Sequence, residues 1–137
     1  MNYEATSSRK KILVVDDNEI ILQAVCSRLE EAGLQVFIAL DGDEAADIAL
    51  REVLDLIVVD VTFAADAYGL AADGFQAMQR LANLELTHQV PFLAVSAGES
   101  ERDRERAQTL GVAAFFRKPL GHPDLIKAIQ ETLPVPA

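Results

Sequence analysis

The sequence holds a single cysteine, Cys26, among 137 residues, so no internal disulfide can staple the fold and a reducing setting is expected. Histidine is nearly as scarce. His88 and His122 are the only two, too few beside one cysteine for a tetrahedral zinc centre. Basic residues are outnumbered, 12 Lys+Arg against 22 Asp+Glu for a formal charge of −10, and the one basic block is Arg9-Lys10-Lys11. Such a surface repels a phosphate backbone, which argues against nucleic acid as a partner. The longest apolar runs are about five or six residues against the roughly 20 needed to span a bilayer. No membrane segment is expected, and the opening residues lack the basic-then-apolar order of an export signal. A cytoplasmic location is therefore the expectation. Proline and glycine number only 5 and 7 while half of the residues are apolar, a balance that excludes global disorder. What remains is one domain of ordinary size.

Residues 1–10 are polar and aperiodic and read as an N-terminal tail. Beyond them the pattern becomes regular. Ile12-Leu13-Val14-Val15 is an unbroken apolar run, as expected of a strand buried on both faces, and it stops at Asp16-Asp17. Leu22, Val25, Cys26 and Leu29 follow at helical spacing up to Gly33, predicting a helix over about Glu19 to Ala32 with Cys26 as a small buried hydrophobe. Leu34 to Leu40 reads as a second strand, and Asp41-Gly42-Asp43-Glu44 opens a helix whose apolar side is Ala45, Ile48 and Ala49. Leu56-Ile57-Val58-Val59 is a third strand ending in an acid, Asp60. Phe75, Met78, Leu81 and Ala82 mark a third helix; Pro91 to Val95 is a fourth strand ending at Ser96. Ala107 and Leu110 lie on a charged fourth helix, Val112 to Phe116 is a fifth strand ending at Lys118-Pro119, and Leu125, Ile126 and Ile129 belong to a fifth helix.

Five short strands alternating with helices require crossover connections, hence a parallel sheet covered on both faces. The predicted fold class is a doubly wound α/β domain. In such a domain ligands bind beyond the carboxyl ends of the strands, so the residues of interest are Asp16, Asp17, Asp60, Ser96 and Lys118. Three converging carboxylates repel one another unless a cation joins them. Mg²⁺ suits the case, because it takes one or two carboxylates and keeps several waters. Ser96 adds a hydroxyl donor and Lys118 a point charge, the parts that hold a phosphoryl group. A carboxylate can itself accept that group covalently, and Asp60 is the candidate.

Asp16-Asp17 after the first strand, Asp60 after the third, Ser96-Ala97 after the fourth and Lys118-Pro119 after the fifth together resemble the receiver domain of two-component response regulators. The resemblance covers about Lys11 to Leu133, leaving residues 1–10 and 134–137 as tails. It implies the flavodoxin-like strand order 2-1-3-4-5. It further implies that Asp60 is the phosphoacceptor and that Asp17, Asp60 and the Thr62 carbonyl ligate Mg²⁺, with Asp16 acting through water. Ser96 and Lys118 would contact the phosphoryl group, and Phe115 rather than Phe116 would be the switch aromatic. The Lys118-Pro119 bond would be cis, an isomer open at modest cost only before proline. The implied partners are a sensor histidine kinase or histidine phosphotransfer protein and a downstream protein target. They include a homodimer through the face of the fourth helix, fifth strand and fifth helix. Such a protein assists its own phosphorylation and dephosphorylation without being a conventional turnover enzyme. With only Pro134 to Ala137 after the fifth helix, a stand-alone switch is the expectation.

One departure stands out. Asp73-Gly74 comes 13 and 14 residues after Asp60, about six more than the family's usual spacing, so an insertion lies within residues 62–73. It covers the site, offers a contact patch or bulges into solvent, and it keeps a second function class open: an adaptor that binds a partner without phosphoryl transfer. A phosphohydrolase using an aspartyl phosphate is disfavoured, since a second acid two residues after the nucleophile is replaced by Thr62. The run Glu99 to Arg106 reads as a solvated helix face with acid-base pairs three and four apart, or as a signalling surface tuned by charge.

Overall fold

The computed structural model describes residues 9–16, 18–60, 79–84, 89–96, 101–117 and 122–133. The strands are β1 (Lys11–Val15), β2 (Gln35–Ala39), β3 (Leu56–Asp60), β4 (Phe92–Ser96) and β5 (Ala114–Arg117). The helices are α1 (Glu19–Glu31), α2 (Gly42–Arg51), a short described stretch of α3 at 79–82, α4 (Glu101–Thr109) and α5 (His122–Thr132). The sheet order is β2-β1-β3-β4-β5 and every pairing is parallel. This is the flavodoxin-like doubly wound fold that the alternation of strands and helices predicts.

Strand alternation divides the core in two. Leu13, Val15, Ile57, Val59, Phe92 and Ala94 face a cluster that holds Ala45, Ile48 and Ala49 of α2, Leu81 of α3 and Ala107 of α4. Ile12, Val14, Leu56, Val58, Leu93 and Val95 face the other, with Leu22, Val25 and Leu29 of α1 and Leu125, Ala128 and Ile129 of α5. The central strand β3 is buried at all five positions, which explains its unalternating β-branched sequence. Its register against β1 is pinned at the lower edge. The Lys11 N–H donates to Asp55 Oδ2 at 2.8 Å, the Asp55 N–H donates to the Lys11 carbonyl at 2.8 Å, and Lys11 Nζ pairs with Glu52 at 3.2 Å.

Helices α1 and α4 end alike. Gly33 and Gly111 adopt φ of 92° and 80°. In each case the glycine N–H bonds the carbonyl three residues back (Glu30, Gln108) and the next N–H bonds the one five back, Leu34 to Leu29 and Val112 to Ala107. This Schellman closure satisfies carbonyls that the helix leaves open. It also corrects the fifth strand: Val112 belongs to the cap of α4, so β5 begins at Ala114, not at Val112. A second correction concerns Cys26, which is half-buried at the margin of α1 rather than in the core. Its Sγ donates to Glu30 Oε1 at 2.8 Å, an outlet for a polar atom that Leu22, Val25 and Leu29 do not have.

Candidate functional site

The upper edge of the sheet collects the strand-end residues. Val15 pairs with Val59, so Asp16 and Asp60 are the next residues on neighbouring parallel strands, whose axes lie about 4.8 Å apart. Asp60 in turn pairs with Val95, and Ser96 with Arg117. Asp16, Asp60, Ser96 and Arg117 therefore end four adjacent strands at one edge. Asp60 is the last residue of β3, one position further into the ladder than the sequence pattern predicts. Phe115 lies on the sheet face that carries Ala107 of α4, and Phe116 lies on the face of α1 and α5. Asp17, Thr62 and Lys118 lie outside the described residues, as do the insertion within 62–73 and the Lys118-Pro119 bond.

Asp16 and Asp60 are the two buried polar residues among those described, at 5% and 6% exposure. An acid is rarely so enclosed unless it is partnered or ligating, and both have interaction partners here. Asp16 continues the ladder past β1, its N–H donating to the Ala39 carbonyl at 3.1 Å. Its Oδ1 accepts from the Asn18 N–H at 3.0 Å. Asn18, not an acid, caps α1: its Oδ1 accepts from the Ile21 N–H at 3.1 Å. Asn18 is not among the residues that the sequence pattern singles out, although asparagine is a common helix cap. The Asp16 carboxylate thus ties the end of β1 to the residue that caps α1.

Two enclosed carboxylates on adjacent strand ends form an all-oxygen donor set. That set fits a hard divalent cation, which for Mg²⁺ uses one or two carboxylates with the remaining positions taken by water or phosphate oxygen. Among the described residues no group of three potential ligands comes together; Asp17 lies outside them.

Comparison with known proteins resolves the class of fold. The model of the response regulator receiver domain matches residues 12–130. Transcriptional regulatory protein CpxR of Escherichia coli is 31% identical over 123 residues, a match covering 90% of this chain and 49% of the relative. The chain thus spans about half the length of that regulator. Among solved structures, chemotaxis protein CheY4 of Vibrio cholerae superposes with a TM-score of 0.82 at 27% identity, over 92% of this chain and all of the other. The receiver domain of sensor histidine kinase PA1611 from Pseudomonas aeruginosa, which has a magnesium ion in its active-site cleft, gives 0.76 at 26% identity over 90% of this chain and 97% of that one. The chain belongs to the response regulator receiver domain family, whose members work in two-component signal transduction. No helix among the described residues is long and apolar enough to cross a membrane.

Proposed function

We propose that Asp60 accepts a phosphoryl group from the phosphohistidine of a sensor kinase or histidine phosphotransfer protein, and that the modified domain then binds a different protein target. The observation that carries this reading is the pair of enclosed acids, Asp16 and Asp60, on adjacent strand ends at the ligand-binding edge of the fold. One Asp60 carboxylate oxygen forms the new O–P bond while the P–N bond to the donor imidazole breaks, and the departing nitrogen takes a proton from solvent. Enclosure of Asp60 within a packed strand end fixes the direction of approach and limits access of water to the acyl phosphate. Asp16, oriented by the Asn18 N–H, stands on the strand end beside the acceptor. Asp17 and the Thr62 carbonyl complete the Mg²⁺ ligands in this proposal. The bound ion supplies charge neutralisation for the incoming phosphoryl oxygens.

Ser96 at the end of β4 and Lys118 just beyond β5 are the proposed contacts of the phosphoryl oxygens, and Phe115 is the proposed mobile aromatic. The switched surface is the face of α4, β5 and α5, with a kinase, a downstream protein or a second copy of the chain as its partner. Residues 11–133 form the receiver, and 62–73 hold the insertion. The deciding experiment is the intact mass of wild type and Asp60→Asn after incubation with acetyl phosphate and Mg²⁺, with and without chelator. One Mg²⁺-dependent phosphoryl adduct, absent from the variant, is expected. No adduct from acetyl phosphate or from phosphorylated kinases would leave the phosphorylation-independent adaptor as the better account.

A further inference from the structure

The described side chains of helix α4 make few ties to the sheet that it covers. Of its described side chains, Arg104, Glu105, Gln108 and Thr109 are exposed and Ala107 alone is buried. By contrast α1 buries Leu22, Val25 and Leu29. One alanine removes little apolar area from water, and a helix of nine residues does not persist on its own propensity. A second tie reaches across from the solvent side. The Arg104 guanidinium stands over the Phe115 ring with its carbon 5.3 Å from the ring centroid, within the range of a cation–π contact. Phe115 is half-buried on β5, opposite Ala94 of β4, and packs against the core cluster that includes Ala107. The ring thus lies between the core and the guanidinium. Among the described residues, helix and strand are joined by the stack over the ring and the Ala107 contact into the core, with Leu110 just past the helix packed against the same cluster.

We propose that Arg104 is a positioning residue: its guanidinium, stacked on Phe115, sets where α4 rests on the sheet and keeps the aromatic ring against the core. A displacement of Phe115 must break the stack, and with it one of the ties that the described side chains of α4 make to the sheet, so ring and helix surface move together. The proposal rests on the phosphoacceptor reading only for what releases the stack. The tether belongs to the unmodified chain and is tested there without metal or phosphodonor, so failure of one is seen separately from failure of the other.

The test is amide hydrogen exchange of residues 104–110 in wild type, Arg104→Lys, Arg104→Ala, Phe115→Leu and the double variant Arg104→Ala/Phe115→Leu. Alanine is the better helix former, so propensity alone would slow exchange in Arg104→Ala. The tether predicts the opposite, a rise of about two- to fivefold, with Arg104→Lys between it and wild type. In the double variant Arg104→Ala should add nothing further to Phe115→Leu. Unchanged or slowed exchange in Arg104→Ala, or effects of the two substitutions that multiply, would overturn the proposal. The amides of β3 report whether Phe115→Leu has loosened the whole domain. Should they lose protection, the wild-type proton spectrum decides. Upfield ring-current shifts of the Arg104 side-chain protons, abolished by lowering neither salt nor temperature, support the stack, and ordinary random-coil shifts refute it.

Discussion

Asp16 and Asn18 interlock where β1 becomes α1: the Asn18 N–H donates to Asp16 Oδ1 at 3.0 Å, and the Asn18 side chain then caps the helix through the Ile21 N–H at 3.1 Å. A candidate site residue and a helix cap are thereby one structural unit. A side-chain cap satisfies a donor that the first turn leaves open and contributes about 1 kcal/mol. Asn18→Ala should lower stability by about that amount, and Asn18→Ser should retain most of it. Urea denaturation of the three proteins checks this, and equal midpoints would remove the cap from the account.

The same unit bears on metal binding. Whatever binds the folded chain and not the unfolded one raises stability, by about 2.7 kcal/mol at a hundredfold excess over the dissociation constant. Mg²⁺ should therefore raise the urea midpoint of the wild type, while Asp16→Asn and Asp60→Asn should blunt the rise. Asparagine preserves the side-chain shape and, at position 16, an oxygen for the Asn18 N–H, so a blunted response reports lost charge. A Mg²⁺ effect of equal size in all three proteins would place the ion elsewhere.

The strands of this fold were legible because a sheet covered on both faces demands apolar residues at consecutive positions. Leu56 to Val59 are all buried, and an unbroken apolar run that short, set between two acids soon after α2 ends at Arg51, reads as a strand rather than a helix. Asp60, at the end of that run, was legible for the same reason. Boundaries governed by hydrogen bonds rather than burial were harder to read. Val112 looks like a strand residue, yet its N–H closes the end of α4 on the Ala107 carbonyl. Cys26 has the spacing of a core position but lies at the rim of the helix face, where Glu30 is within reach. The Arg104–Phe115 stack left no periodic trace at all, because it joins an exposed position of one element to a half-buried position of the next. Such a contact depends on the turn at Gly111 that brings helix and strand together.

That turn makes its own prediction. Gly111 has φ of 80°, and a Cβ added there would meet no atom within 4 Å. The cost of Gly111→Ala is thus confined to the backbone, roughly 1–2 kcal/mol for an L-residue held in the left-handed region. Asparagine tolerates that region better, so Gly111→Asn should recover part of the loss. Thermal unfolding of the three proteins is the check. An alanine variant as stable as wild type would mean that the loop relaxes without strain.

Cys26 supplies a pH dependence whose sign can be worked out. Partial burial, then the hydrogen bond to Glu30, then the charge of Glu30, push the thiol up from 9.0 to about 11. All three disfavour the thiolate, so the native chain holds this proton more tightly than the unfolded one. The contribution to stability is fully present below about pH 9 and is lost as pH rises toward 11. The wild type should accordingly lose stability relative to Cys26→Ala between those values. Reactivity follows the thiolate, so alkylation of the native protein should rise with a midpoint near pH 11, and Glu30→Gln should move that midpoint down. It should not return fully to 9.0, since burial, the largest cause, is untouched by that substitution. A wild-type midpoint near 9, unaffected by Glu30→Gln, would show that the contact between Cys26 and Glu30 does not govern the thiol in solution.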